Sequence, residues 1–210
     1  MLAHPTPLNI VILAAGSAHR LGRCKPLVRI HGESLLRRTV NLVAHLPGRC
    51  FVVMPPNASR FREELRGFEV TFLENPGRSE GIASSVRLAI ARAPGTAGVL
   101  FLPADLPNLR LQELRRLISV WRGAPRRVVA RRIGDQWGTP LILPRWLHCK
   151  AMLLRGDVGL RAVLATLPAQ ALHLVALPSA ADDIDTPREL AAARKRFGVR
   201  PRTRRTRERL

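Results

Sequence analysis

An α/β fold, with a mostly parallel sheet covered by helices on both faces, is predicted from three features of the 210-residue sequence. Short β-branched apolar runs alternate with amphipathic runs of helical period. Turn chemistry separates them, as at Pro55-Pro56 and Asn75-Pro76-Gly77. The length fits one domain with a single core and a tail, divided at 1–198 and 199–210.

The elements follow in order. Residues 9–13 form a first strand that ends in Ala-Ala-Gly. Residues 34–46 are helical, because Leu35, Leu36, Val40, Val43 and Leu46 recur near helical spacing. Strands are expected at 50–54 and 69–73, with a helix at 59–65 between them. A helix at 82–93, a buried strand at 98–102 and a helix at 111–121 come next. Strands at 127–133 and 140–143 flank the Gly134-Asp135 turn. Helices at 146–154 and 160–167, then a strand at 172–177, complete the alternation. The last helix has a capping box, with Thr186 as N-cap, Pro187 at the first helical position and Glu189 reaching back. In parallel sheets the ligand crevice lies beyond the carboxyl ends of the strands. That places function after Leu13 and after Leu102.

Composition excludes several classes. No apolar run reaches the roughly 18–20 residues that span a bilayer, and 10–15 is too short and lacks the basic lead of a signal peptide. Cys24, Cys50 and Cys149 share no metal or disulfide spacing, so the cytoplasm is the expected compartment. The formal charge is +20, and residues 194–209 hold nine basic side chains against the single acid Glu208. A block of this kind is a solvated extension. Tyrosine is absent and the phenylalanines are scattered, so no aromatic stacking platform supports a nucleic-acid partner. A basic surface equally suits small polyanionic substrates.

The segment after the first strand reads Leu13-Ala14-Ala15-Gly16-Ser17-Ala18-His19-Arg20-Leu21-Gly22-Arg23-Cys24-Lys25. Small residues let backbone N–H groups approach an anion. Arg20 can fork onto phosphate oxygens and Lys25 adds a point charge. The spacing is neither a Walker A loop nor GxGxxG. Taken alone, an arginine-rich surface loop explains it equally well.

This segment resembles the L-A-[AG]-G-x-S-x-R-[ML]-G-x-x-K signature of MobA-like nucleotidyltransferases, departing at Ala18 where the family has serine. The run from Asn75-Pro76 through Glu80-Gly81-Ile82-Ala83-Ser84-Ser85-Val86-Arg87 is similar to a segment of the molybdenum cofactor cytidylyltransferase branch. Leu102-Pro103-Ala104-Asp105-Leu106-Pro107 resembles its D-x-P metal motif. Gly138-Thr139-Pro140 resembles its G-H-P, with threonine for histidine. Gly156-Asp157-Val158-Gly159-Leu160-Arg161 and Asp183-Ile184-Asp185-Thr186-Pro187 are similar to G-D-x-G-x-R and D-I-D-T-P. The resemblance spans about 9–197.

The resemblance implies a three-layer α/β/α Rossmann-like nucleotidyltransferase fold and Mg²⁺-dependent transfer of a nucleoside monophosphate with release of pyrophosphate. It implies Leu13, Ala14, Ala15, Gly16, Gly22 and Lys25 around the triphosphate, and Ser84 and Ser85 at the base and ribose. Lys25, Arg20 and Asp105 would be catalytic, Asp105 and Asp185 would hold the metal, and Asp157 and Arg161 would face the acceptor. Read alone, Asp105 is an acid before a turn, Asp185 the residue ahead of a cap, and Asp157–Arg161 a surface pair. The lysine beside Cys24 would favour its thiolate, yet phosphoryl-type transfer needs positioning and charge neutralisation, not a protein nucleophile. The Ala-Ala-Gly and Ser84-Ser85 segments point to CTP over GTP, with molybdopterin as acceptor and a molybdoenzyme as possible partner. A sugar- or polyol-phosphate acceptor is the alternative within the fold. A non-catalytic, cofactor-binding accessory protein is the alternative outside it, kept open by Thr139.

Overall fold

The computed structural model describes residues 7–16, 24–93, 95–134, 136–180, 184 and 186–197. Its centre is strand β1 (Leu8–Leu13), which pairs in parallel with β4 (Arg49–Met54) on one side and β6 (Gly98–Pro103) on the other. Strand β5 (Thr71–Glu74) adds in parallel outside β4. Beyond β6 runs β8 (Gln136–Pro144), the one reversed strand of the described sheet. It forms a hairpin with β7 (Val128–Ile133), and β9 (Leu172–Val175) closes that edge parallel to β7. The order is β5-β4-β1-β6-β8-β7-β9.

Alternation along β1 feeds two cores. Ile10 and Ile12 point into one cluster and Val11 into the other, as a period of two requires. The first cluster lies under α1 (Leu35–Val43), α2 (Ser59–Glu64) and α4 (Leu111–Gly123). The second lies under α3 (Ile82–Arg92), α5 (His148–Met152) and α6 (Leu160–Ala165). The expected three layers are therefore present. No helix among the described residues is long and apolar enough to cross a membrane.

Boundaries fall close to expectation, with physical reasons for the departures. Ser34 is the N-cap of α1, its hydroxyl accepting from the Arg37 N–H at 3.0 Å. Trp146 belongs to a 3-10 turn, Arg145–Leu147, rather than to α5. Helix α7 (Pro187–Phe197) starts from the predicted box: Thr186 N–H donates to Glu189 at 2.8 Å and Glu189 N–H to the Thr186 hydroxyl at 3.3 Å. A small hairpin, β2 (Arg29–Ile30) with β3 (Glu33–Ser34), was not foreseen. Its turn is His31-Gly32, both at positive φ, a two-residue reversal that suits twisted strands. Ile30 packs with Leu35, Ile184 and Leu190 in a third cluster that seats α7.

One close approach limits the core. Trp121 of α4 is fully buried against Gly98, and a Cβ on Gly98 would stand 2.5 Å from the indole ring. Gly98→Ala is expected to destabilise the fold by about 1–3 kcal/mol through overpacking. The midpoint of urea unfolding measures it.

Candidate active site

Six of the seven strands of the described main sheet point the same way, so their carboxyl ends form one edge, joined there by the start of β8. Leu13 lies in register with Val53 and Pro103 at that edge. The Ala14 N–H extends the ladder by donating to Val53 O at 2.8 Å, so it is spent on the sheet. Ala15 is buried, and Gly16 is exposed with open space where a side chain would go. Arg20 and Gly22 lie outside the described residues.

The chain returns at Cys24 and winds into a 3-10 turn, Lys25–Leu27, closed by Val28 N–H donating to Lys25 O. This turn aims Lys25 across the edge. Its Nζ lies 2.5 Å from Asp105 Oδ2, both side chains largely shielded. Asp105 follows β6 directly, as predicted. Two residues that are 80 positions apart in the chain thus form one charge pair beyond the strand ends. Asp105 offers hard carboxylate oxygen of the kind Mg²⁺ takes. Asp185, the second predicted ligand, lies outside the described residues. Its neighbour Ile184 is buried with Val28, Ile30 and Leu35. No group of three metal-binding side chains occurs among the described residues.

Cys24 is not an activated thiol. Partial burial raises its pKa above the ordinary thiol value, outweighing the Leu27 backbone hydrogen bond and the positive charges of Arg78 and Arg60.

At the end of β5, Asn75 is buried and its amide donates to both Ser84 Oγ at 2.9 Å and Ser85 Oγ at 3.0 Å. Ser84 Oγ in turn donates to Gly81 O at 2.8 Å. The two serine hydroxyls are therefore engaged inside the protein, bracing Asn75 against the first turn of α3.

The Glu80-Gly81 and Gly156-Asp157 motifs meet in space. Gly81 has φ +113, and a Cβ there would collide with the Gly156 carbonyl and Asp157 Oδ1. Ala83 N–H donates to Gly156 O at 3.1 Å. Glu80 accepts from Arg87 through both oxygens, at 2.8 and 2.5 Å, and from the Gly156 N–H at 3.3 Å. Arg161 Nη2 lies 3.8 Å from the place a Gly138 side chain would fill. Arg131, buried on β7, donates to Thr139 O at 3.3 Å. Asp157 and Arg161 thus do not pair into a lone helical couple; Asp157 abuts Gly81, and Arg161 flanks the β7–β8 hairpin.

Comparison with known proteins now bears on this edge. Residues 10–173 match the family model described as the MobA-like NTP transferase domain. The chain belongs to this family. It is 33% identical over 191 residues, 88% of its own length and 93% of the relative's, to a molybdenum cofactor guanylyltransferase of Pseudomonas paraeruginosa. Its fold matches Rv0371c of Mycobacterium tuberculosis with a TM-score of 0.74 and 25% identity, covering 90% of this chain and 99% of that one. A manganese complex of Rv0371c matches with a TM-score of 0.70 at 24% identity, covering 91% and 100%. The chain is thus a nucleotidyltransferase, an enzyme, and the accessory-protein alternative falls away.

In this MobA-like chain, three residues had no role assigned from sequence. Asn75, Glu80 and Arg87 stood only as motif letters. The signal was their spacing around Gly81, but the partners of Glu80 and Arg87 at 154–156 are distant in sequence.

Lys25→Ala is expected to lower turnover by about 10² or more, the order seen when an electrostatic stabiliser is removed. Stability should change by less than about 1 kcal/mol, as for a partly exposed ion pair. Steady-state pyrophosphate release and urea unfolding separate the two effects. Acid tests Glu80. The hydrogen bonds from Arg87, aided by the Gly156 N–H, lower its pKa from 4.5 to about 2. A folded-state pKa below the unfolded one means stability that is present above pH 4.5 and lost as pH falls toward 2. The pair is exposed and screened by solvent, so the difference in unfolding midpoint between wild type and Glu80→Gln should be small above pH 4.5 and vanish as pH falls toward 2.

Proposed function

We propose that this MobA-like enzyme transfers GMP from GTP to the terminal phosphate of molybdopterin, with Mg²⁺, in the cytoplasm. The observation that carries the reading is the likeness to a named molybdenum cofactor guanylyltransferase over nearly the full length of both chains. The geometry supports it with a charge pair poised at the edge where such sheets bind ligands. An acceptor phosphate oxygen attacks the α-phosphorus in line, and pyrophosphate leaves opposite. Lys25 and Arg20 neutralise the triphosphate while the backbone of 15–22 cradles it. Asp105 and Asp185 would hold the divalent ion, which would supply positive charge against the phosphates. Asp157 and Arg161 lie toward the acceptor. Ser84 and Ser85 serve the nucleotide side through Asn75.

A cytosine donor is the second reading, motivated by the 75–87 segment. Its serine hydroxyls are engaged by Asn75, so the similarity there records a brace and names no base. Pyrophosphate release with molybdopterin, Mg²⁺ and each of the four NTPs is the test. GTP should give the highest kcat/KM. Highest activity with CTP would reassign the base. Release only with a sugar or polyol phosphate would overturn the acceptor.

A further inference from the structure

We infer that the Glu80–Arg87 ion pair is a positioning latch that sets acceptor affinity by holding the loop between Leu154 and Leu160 against α3. This rests on the reading of Asp157 and Arg161 as acceptor-side residues.

The loop joins α5 to α6 and is pinned at its two ends, where Leu154 and Leu160 enter the core. Between them little is buried: Arg155, Asp157 and Val158 are all exposed. Burial therefore does not fix the loop's path, and polar contacts must. Arg155 donates to Met152 O and Leu154 O from within the loop, and the contacts that tie the loop to its surroundings come from α3 and the turn before it. Arg87 donates to Leu154 O at 2.6 Å while its fork engages both oxygens of Glu80. Glu80 takes the Gly156 N–H, and the Ala83 N–H takes Gly156 O. Both backbone polar groups of Gly156 are thus claimed by the 80–83 turn. Gly81, with no side chain, lets the loop close onto that turn.

The charge balance argues against a direct role for Arg87. Its guanidinium is matched by a carboxylate and a carbonyl, so it brings no unmatched charge for a substrate anion. The pair is also too exposed, at 22% and 36%, to matter much for global stability. What it fixes is local: the position of Asp157 and, through the start of α6, of Arg161. A planar two-pronged donor is required to hold a carboxylate and a carbonyl together, so lysine is not equivalent. From the first turn of the same helix, Ser84 and Ser85 hold Asn75. One helix thus carries two braces, which the proposed function assigns one to each substrate.

The experiment uses the full chain with four variants: Arg87→Lys, Glu80→Gln, Glu80→Ala and, as a contrast, Ser85→Ala. KM is measured separately for nucleotide and acceptor. Arg87→Lys and Glu80→Ala should raise acceptor KM between about 10-fold and 10²-fold, the range for a misplaced binding group. Nucleotide KM should stay within about twofold. Glu80→Gln, which keeps an oxygen for Gly156, should fall between these and wild type. Ser85→Ala should show the opposite split. Equal rises in both constants, or an unchanged acceptor KM in Glu80→Ala, would overturn the latch. Hydrogen exchange gives a readout that needs no turnover. Amides of Ala83, Gly156 and Val158 should exchange faster in Glu80→Ala while those of β1 and β6 do not, and unchanged protection would also overturn it. Absence of wild-type turnover with molybdopterin would count against the proposed acceptor alone, and the exchange result would still decide the latch.

Discussion

Strand β1 is buried along its length, with neighbours on both sides, so its backbone polar groups have no access to water. Each must be paired within the sheet, because a buried unpaired N–H or C=O costs as much as a lost hydrogen bond. Parallel pairing with β4 and β6 meets this demand. It also forces three chain segments to leave the sheet at the same edge. The small residues after Leu13 and the acid after β6 share that edge for this reason, and β5, paired in parallel outside β4, brings Asn75 to the same edge. Lys25 then has a carboxylate within reach because Asp105 begins where β6 ends. The charge pair is a consequence of how the sheet satisfies its own backbone.

The two halves of the edge are made differently. On the β5-β4-β1-β6 side, loops follow strand ends directly. On the other side β8 runs backwards, so the edge is formed by the β7–β8 hairpin, with Gly138 and Thr139 early in the reversed strand. Helix α3 sits behind both halves. Its first turn contacts Asn75 toward one and Gly156 toward the other. Substitutions in α3 need not touch a ligand to be felt at either half.

Much of this was legible in the sequence. Apolar runs of period two and helices of period 3.6 fixed the alternation, because burial on two faces leaves a pattern that survives without coordinates. The place of Asp105 beyond the end of a buried strand was legible, but its proposed role came only from the resemblance of 102–107 to a metal motif, because read alone it is an acid before a turn. The β2–β3 hairpin was missed, since two residues per strand are too few to show a period. The length of β8 was underread, because Trp137-Gly138-Thr139-Pro140 carries turn-like letters inside a strand. The roles of Asn75, Glu80 and Arg87 were hidden for a different reason. Each depends on partners that only the fold brings near, and hydrogen-bond geometry has no sequence period. Ser84 and Ser85 show the converse: a matched motif singled them out, while the engagement of their hydroxyls by Asn75 was visible only in three dimensions.

Because Lys25 and Asp105 neutralise one another, the resting site carries its own counterions. On the proposed function, a divalent cation arriving alone would compete with the ammonium for Asp105, and a nucleotide without metal would compete with the carboxylate for Lys25. A metal–nucleotide pair would offer a new partner to each at once, so the ion pair would favour their joint arrival.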